Sequence, residues 1–145
     1  MISNQSLDII TAWHVLEHVY DLKETFIDLN RLLKNNGKLI IALPNYRSHD
    51  AQHYKQFWAA LDVPRHLYHF DHDFISKIAS ETGYQLKEIK PMVFDSFYIS
   101  LISTKYRYGF YKPFQAFYEG LISNIKANKK IPNHSSLIYI LEKHS

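Results

Sequence analysis

Apolar residues gather in two short runs near the start of the chain, Leu7 to Trp13 and Lys38 to Leu43, separated by an amphipathic stretch. The first run is nearly continuous, which suits a strand covered on both faces, as in a parallel sheet. Asp21 opens a helix signal. Glu24 follows three residues later as in a capping box, and Leu22, Phe26, Leu29 and Leu33 recur at helical spacing. Asn35-Asn36-Gly37 is expected to end that helix, with Gly37 taking the left-handed conformation. The second run is a strand stopped by Pro44. A strand, a helix and a strand joined this tightly make a right-handed crossover, so the two strands should be parallel.

Clean periodicity is lost from Asn45 to Phe70, where polar, aromatic and histidine residues mix. A stretch this long between regular elements is expected to be a lid or binding segment (45–70), with a short helix around Ala51 to Leu61. Asp71 caps a further helix carrying Phe74, Ile75, Ile78 and Ala79, and Gly83 closes it. Tyr84 to Lys90 is expected to be a third strand. Phe94 to Tyr108 and Phe114 to Ile125 form two aromatic-rich helices, a helical insertion over 94–127. After Pro132 and Asn133, Leu137 to Leu141 makes a last strand.

At 145 residues, 46% hydrophobic and 21% charged, the chain has the size and balance of one globular domain. No apolar run reaches the roughly 18–20 residues that span a bilayer, and Met1 to Asp8 lack the regions of a secretory signal. With no cysteine present, a cytoplasmic location is expected and no membrane partner. The net charge of +3 is modest. Lys126, Lys129 and Lys130 form a basic cluster that suits a solvated helix end, so no nucleic-acid partner is expected. Only Gly37, Gly83, Gly109 and Gly120 occur, and no two are close enough to build a phosphate-cradling loop.

The segment from Asp8 to Val19 reads D-x-x-x-x-x-x-V-L-E-H-V, and Trp58 to Leu67 reads W-x-x-x-D-x-P-R-H-L. In this order, with Leu32 to Leu39 and Pro44-Asn45 between them, they resemble the C-terminal half of class I (Rossmann-like) S-adenosylmethionine-dependent methyltransferases. The resemblance implies an α/β fold whose strands at Leu7, Lys38 and Tyr84 are parallel. The last strand is then antiparallel, slotted between the second and third. It also implies S-adenosylmethionine as cofactor, contacted by Ala12, Trp13, His14 and Val15 beyond a strand's carboxyl end. The acceptor is expected to be a small molecule, touched by Asn45, Trp58, Arg65 and His66. A hydroxyl acceptor needs a base, and His14 and His66 are the candidates.

The family's first strand, its G-x-G-x-G loop and the acidic residue for the ribose belong upstream of Leu7 and are absent. The chain is therefore expected to be a partial methyltransferase domain (1–145) with a weakened cofactor site. The first strand would then present an unprotected edge, through which a homodimer is expected to form. Two other readings compete. His14-Val15-Leu16-Glu17-His18 matches the zinc-peptidase pattern H-x-x-E-H, but that pattern needs one continuous helix, and here a strand runs into His14. His14 and His18 need not converge, so no metal is expected. The other alternative is a methyltransferase-like interaction module without enzymatic activity.

Overall fold

The computed structural model describes residues 2–127 and 131–144, so Lys129 and Lys130 of the basic cluster lie outside the described residues. The elements in chain order are β1 (Leu7–Trp13), α1 (Leu22–Leu32), β2 (Leu33–Pro44), α2 (His49–Tyr54), α3 (His72–Glu81), β3 (Tyr84–Pro91), α4 (Asp95–Tyr108), α5 (Pro113–Ala127) and β4 (Ser136–Lys143). The four strands form one sheet in the order β1-β2-β4-β3. β1 and β2 are parallel, while β4 runs antiparallel to both its neighbours, β2 and β3. The fold is α/β, and its last strand sits where the resemblance puts it.

Helix starts follow their caps. The Asp21 carboxylate accepts the Glu24 N–H at 2.9 Å, and the Asp71 carboxylate accepts the Phe74 N–H at 2.8 Å. The end of α1 differs from expectation. The helix stops at Leu32, because Leu33 turns extended and joins β2 opposite Leu7, where it is fully buried. The left-handed residue in this irregular stretch is Asn36, at φ 61°, not Gly37. Gly37 is needed for space instead, since a Cβ there would lie 2.8 Å from the Lys34 carbonyl oxygen.

The main core gathers Leu39, Ile41 and Leu43 of β2 and Leu137, Tyr139 and Leu141 of β4 against Phe26 of α1 and Ile75 of α3. A second cluster joins Ala51 and Tyr54 of α2, Trp58, Ala60 and Ile99 of α4. β1 departs from the expected two-sided burial. It is the sheet's edge strand, and Ile9 and Trp13 are 56% and 50% exposed. Segment 45–70 is more regular than its sequence suggests. After α2 it forms single 3-10 turns at Lys55–Phe57 and Ala59–Leu61.

Candidate active site

The site begins where β1 ends. The His14 N–H donates to the Ala42 carbonyl at 3.0 Å, extending the strand pairing by one residue. His14 itself takes a left-handed conformation, φ 52°, which swings the chain away from the sheet into a 3-10 turn at Leu16–His18. Leu16 and Glu17 are buried by that turn and His18 is left exposed. The second motif packs directly on the first. The Leu67 N–H donates to the Glu17 carbonyl at 2.7 Å, and His18 Nδ1 lies 3.0 Å from the Arg65 carbonyl oxygen.

These contacts wall a cleft of about 340 Å³ beyond the carboxyl ends of β1 and β2. His14, Glu17, Asp62, Arg65, His66 and Asp95 supply its polar groups, and α4 adds Tyr98 and Tyr106. His66 is held by a hydrogen bond from Nδ1 to the Ala60 carbonyl at 2.8 Å. A carbonyl only accepts, so Nδ1 carries the proton and Nε2 the free lone pair. Arg65 spans back to Asp62, with Nη2 2.7 Å from Oδ1.

His14 occupies the electrostatic centre. Its Nε2 is 3.3 Å from Asp95 Oδ2 and its Nδ1 is 3.3 Å from Glu17 Oε1. Hydrogen bonds to Asp95 and then Glu17 outweigh burial and push its pKa up to about 9. Burial works against ionisation of Asp95, but its pairing with His14 prevails and holds it below the usual carboxylate value. His14 is thus an imidazolium at neutral pH with both nitrogens engaged. To serve as a base, His14 would first have to lose a proton and release one of these two partners.

The other candidate residues divide. Arg65 and His66 line the cleft with His14. Ala12 is half-buried, while Trp13 and Val15 project at the strand end with 50% and 48% exposure. Asn45 and Trp58 do not line this cleft. Asn45 is buried and donates to the Asn133 side chain at 2.8 Å and the His134 carbonyl at 3.0 Å. Trp58 is buried and donates through Nε1 to Asp50 at 2.9 Å. Asp95 is the group missed from sequence; its one visible signal is an acid in the first turn of an aromatic helix. The H-x-x-E-H arrangement is not formed, because a left-handed residue and a 3-10 turn replace the continuous helix it requires. Among the described residues, the group able to offer converging metal ligands is Glu17, His18 and His66.

A family model described as a methyltransferase domain matches residues 3–89. No curated protein matches the chain by sequence. Among solved structures, an S-adenosylmethionine-dependent methyltransferase of Thermotoga maritima is similar at 12% identity and TM-score 0.60, covering 98% of this chain and 58% of its own. A chain from the Haloferax volcanii complex of the Trm112 methyltransferase activator with a methyltransferase matches at 11% identity and TM-score 0.64, covering 99% and 57%. Phosphoethanolamine N-methyltransferase 2 of Haemonchus contortus, solved with S-adenosylmethionine, matches at 21% identity and TM-score 0.56, covering 100% and 35%. The chain therefore spans 58%, 57% and 35% of the length of these three structures, and at such identities the likeness is one of fold.

Proposed function

The chain belongs to the methyltransferase-domain family, and on that premise we propose that it serves S-adenosylmethionine-dependent methyl transfer to a small-molecule acceptor held in the cleft. One observation carries this reading. The V-L-E-H and P-R-H segments, far apart in sequence, are hydrogen-bonded to each other and wall a single cleft beyond the strand ends, where open α/β sheets bind their ligands.

The residues at the end of β1 suit one rim of a cofactor site, since the Trp13 and Val15 side chains are left half-exposed there rather than spent on the core. Ala12, Trp13, His14 and Val15 would hold that rim. When bound, the cofactor supplies a methyl group already activated on a sulfonium. What remains for the chain is positioning and exclusion of water, which can supply much of a barrier reduction. Tyr98 and Tyr106 screen the cleft, and His14, clamped by Asp95 and Glu17, fixes the turn against α4. His66 Nε2 offers the lone pair that receives a hydroxyl acceptor's proton. A location in the cytoplasm fits this chemistry. The helical pair over 94–127 and the lid-like segment over 45–70 are assigned to acceptor binding.

A second reading draws on the exposed edge of β1, with Ile9 and Trp13 half in solvent. That edge suits pairing with another copy of the chain, whether the unit is catalytic or an interaction module. Transfer of label from methyl-labelled S-adenosylmethionine, assayed over a panel of hydroxyl and amine acceptors, tests the enzymatic reading. Labelled product that disappears in His66→Ala supports it. A full panel without product returns the chain to the interaction-module reading.

A further inference from the structure

Three side chains at the cleft wall and beside it, Glu17 and His66 of the lining and the adjacent His18, hold bonding capacity that the described residues leave unused. Glu17 is 1% exposed, and although Oε1 meets His14, Oε2 is buried without a hydrogen-bond partner. A buried carboxylate oxygen left this way is costly, so a donor or a cation is expected to meet it. His18 and His66 are each anchored through Nδ1, by the Arg65 carbonyl at 3.0 Å and the Ala60 carbonyl at 2.8 Å. In both rings the lone pair therefore sits on Nε2. The rings meet edge to face with centroids 4.7 Å apart. One ligand atom each from Glu17, His18 and His66 lies within 4.8 Å of the others.

From this geometry we propose that Glu17, His18 and His66 bind one divalent first-row transition-metal cation of the zinc type. Two imidazoles and a carboxylate are the donor set such ions take, and they are too rich in nitrogen for calcium or magnesium. Small side-chain rotations would draw the three atoms to about 2.0–2.2 Å from the ion. The supporting shell is already built. Each imidazole donates its other nitrogen to a backbone carbonyl, and Glu17 Oε1 is held by His14, which is how metal-binding imidazoles and carboxylates are usually oriented. The Asp62 carboxylate, 3.9 Å from His66 Nε2, adds negative charge that offsets the nearby His14 cation.

The set differs from the pair considered in the sequence. His14 turns away to Asp95, and its place is taken by His66 from the second motif, so spacing within H-x-x-E-H carries no sign of the site. The ion would cross-link the turn after β1 to segment 59–67 and leave a coordination position open toward the cleft. The binding site stands apart from the methyl-transfer reading; only its use rests on that reading. There, the ion would take up the His66 lone pair and ease deprotonation of a hydroxyl acceptor directly, the proton leaving to solvent.

The test is calorimetric titration of the chelator-treated full chain with zinc chloride, without cofactor or acceptor. One ion per chain with saturable, micromolar binding is expected. His18→Ala and His66→Ala should each weaken it by about tenfold or more, and Glu17→Gln likewise, with folding checked by circular dichroism. His69→Ala, an imidazole of the same segment outside the cluster, should leave it unchanged. Cobalt(II) in place of zinc should give visible absorption of a low-symmetry nitrogen and oxygen site, lost in the double variant His18→Ala/His66→Ala. No saturable heat, or binding that survives the double variant, would overturn the proposal. Metal binding without methyl transfer would leave the site standing and count against the enzymatic reading alone.

Discussion

His14 Nε2 lies 3.3 Å from Asp95 Oδ2, tying the end of the sheet's edge strand to the first turn of α4. The pair spans most of the chain in sequence and brings the helical segment over the cleft. Because the imidazolium is stabilised by Asp95 first and Glu17 second, its pKa rises from 6.5 to about 9. A folded-state pKa above the unfolded one contributes stability that is fully present below about pH 6.5 and is lost as pH rises through about 9. NMR titration of the His14 ring in chelator-treated protein should give a midpoint near 9, falling in Asp95→Asn. Urea midpoints should drop between neutral pH and pH 10, and less steeply in that variant. A ring titrating at its ordinary value would remove the pairing.

Asp50 is a buried structural anchor. Its carboxylate accepts Trp58 Nε1 at 2.9 Å, Ser123 Oγ at 2.8 Å and the Ser135 hydroxyl, joining α2 to α5 and to the residues before β4. Asp50→Ala leaves three buried donors unmatched, and a loss of about 3 kcal/mol or more is expected. Urea unfolding by linear extrapolation measures it. A change below about 1 kcal/mol would mean that water or a rearranged side chain replaces the carboxylate.

That anchor explains what the sequence could and could not disclose. Trp58 sits inside a family-like motif, and motif order alone suggests a ligand contact. Its direction is decided by Asp50, a residue whose importance depends on serines far along the chain. The strands β1, β2 and β4 were legible as apolar runs, and Asp21 and Asp71 cap their helices as their spacing implies, whereas the sheet order followed from the family resemblance. Leu33 was misjudged since its helical spacing competes with a fully buried place in β2. The Asp95 contact and the meeting of His66 with Glu17 and His18 are products of tertiary folding, and no periodicity encodes them.

Among the acceptor-side candidates, His66 should matter to turnover and Trp58 to stability. His66→Ala is expected to lower turnover by at least about tenfold, on the order of 1.4 kcal/mol of barrier. Trp58→Phe removes a donor from Asp50 and should lower the melting temperature while leaving KM near its original value. Steady-state kinetics on both variants separates the roles. Unchanged kinetics in His66→Ala would remove the side chain from the reaction.

The edge of β1 leads to the last expectation, that this chain self-associates. β1 pairs with β2 on one side and ends the sheet on the other, so its outer N–H and C=O groups face solvent. Natural edges are usually blunted by proline, charge or a covering element. Here the strand holds one charged residue, Asp8, which is bound to Lys34 Nζ at 2.8 Å, and no proline. Ile9 and Trp13 stand half-exposed along the same strand and add apolar area to the unpaired backbone. A symmetric pair of edges satisfies both needs at once. Light scattering should report a dimer or larger species, and Ile9→Lys should shift it toward monomer by placing charge on the edge. A clean monomer would refute the edge argument, and a dimer untouched by Ile9→Lys would move the interface away from β1.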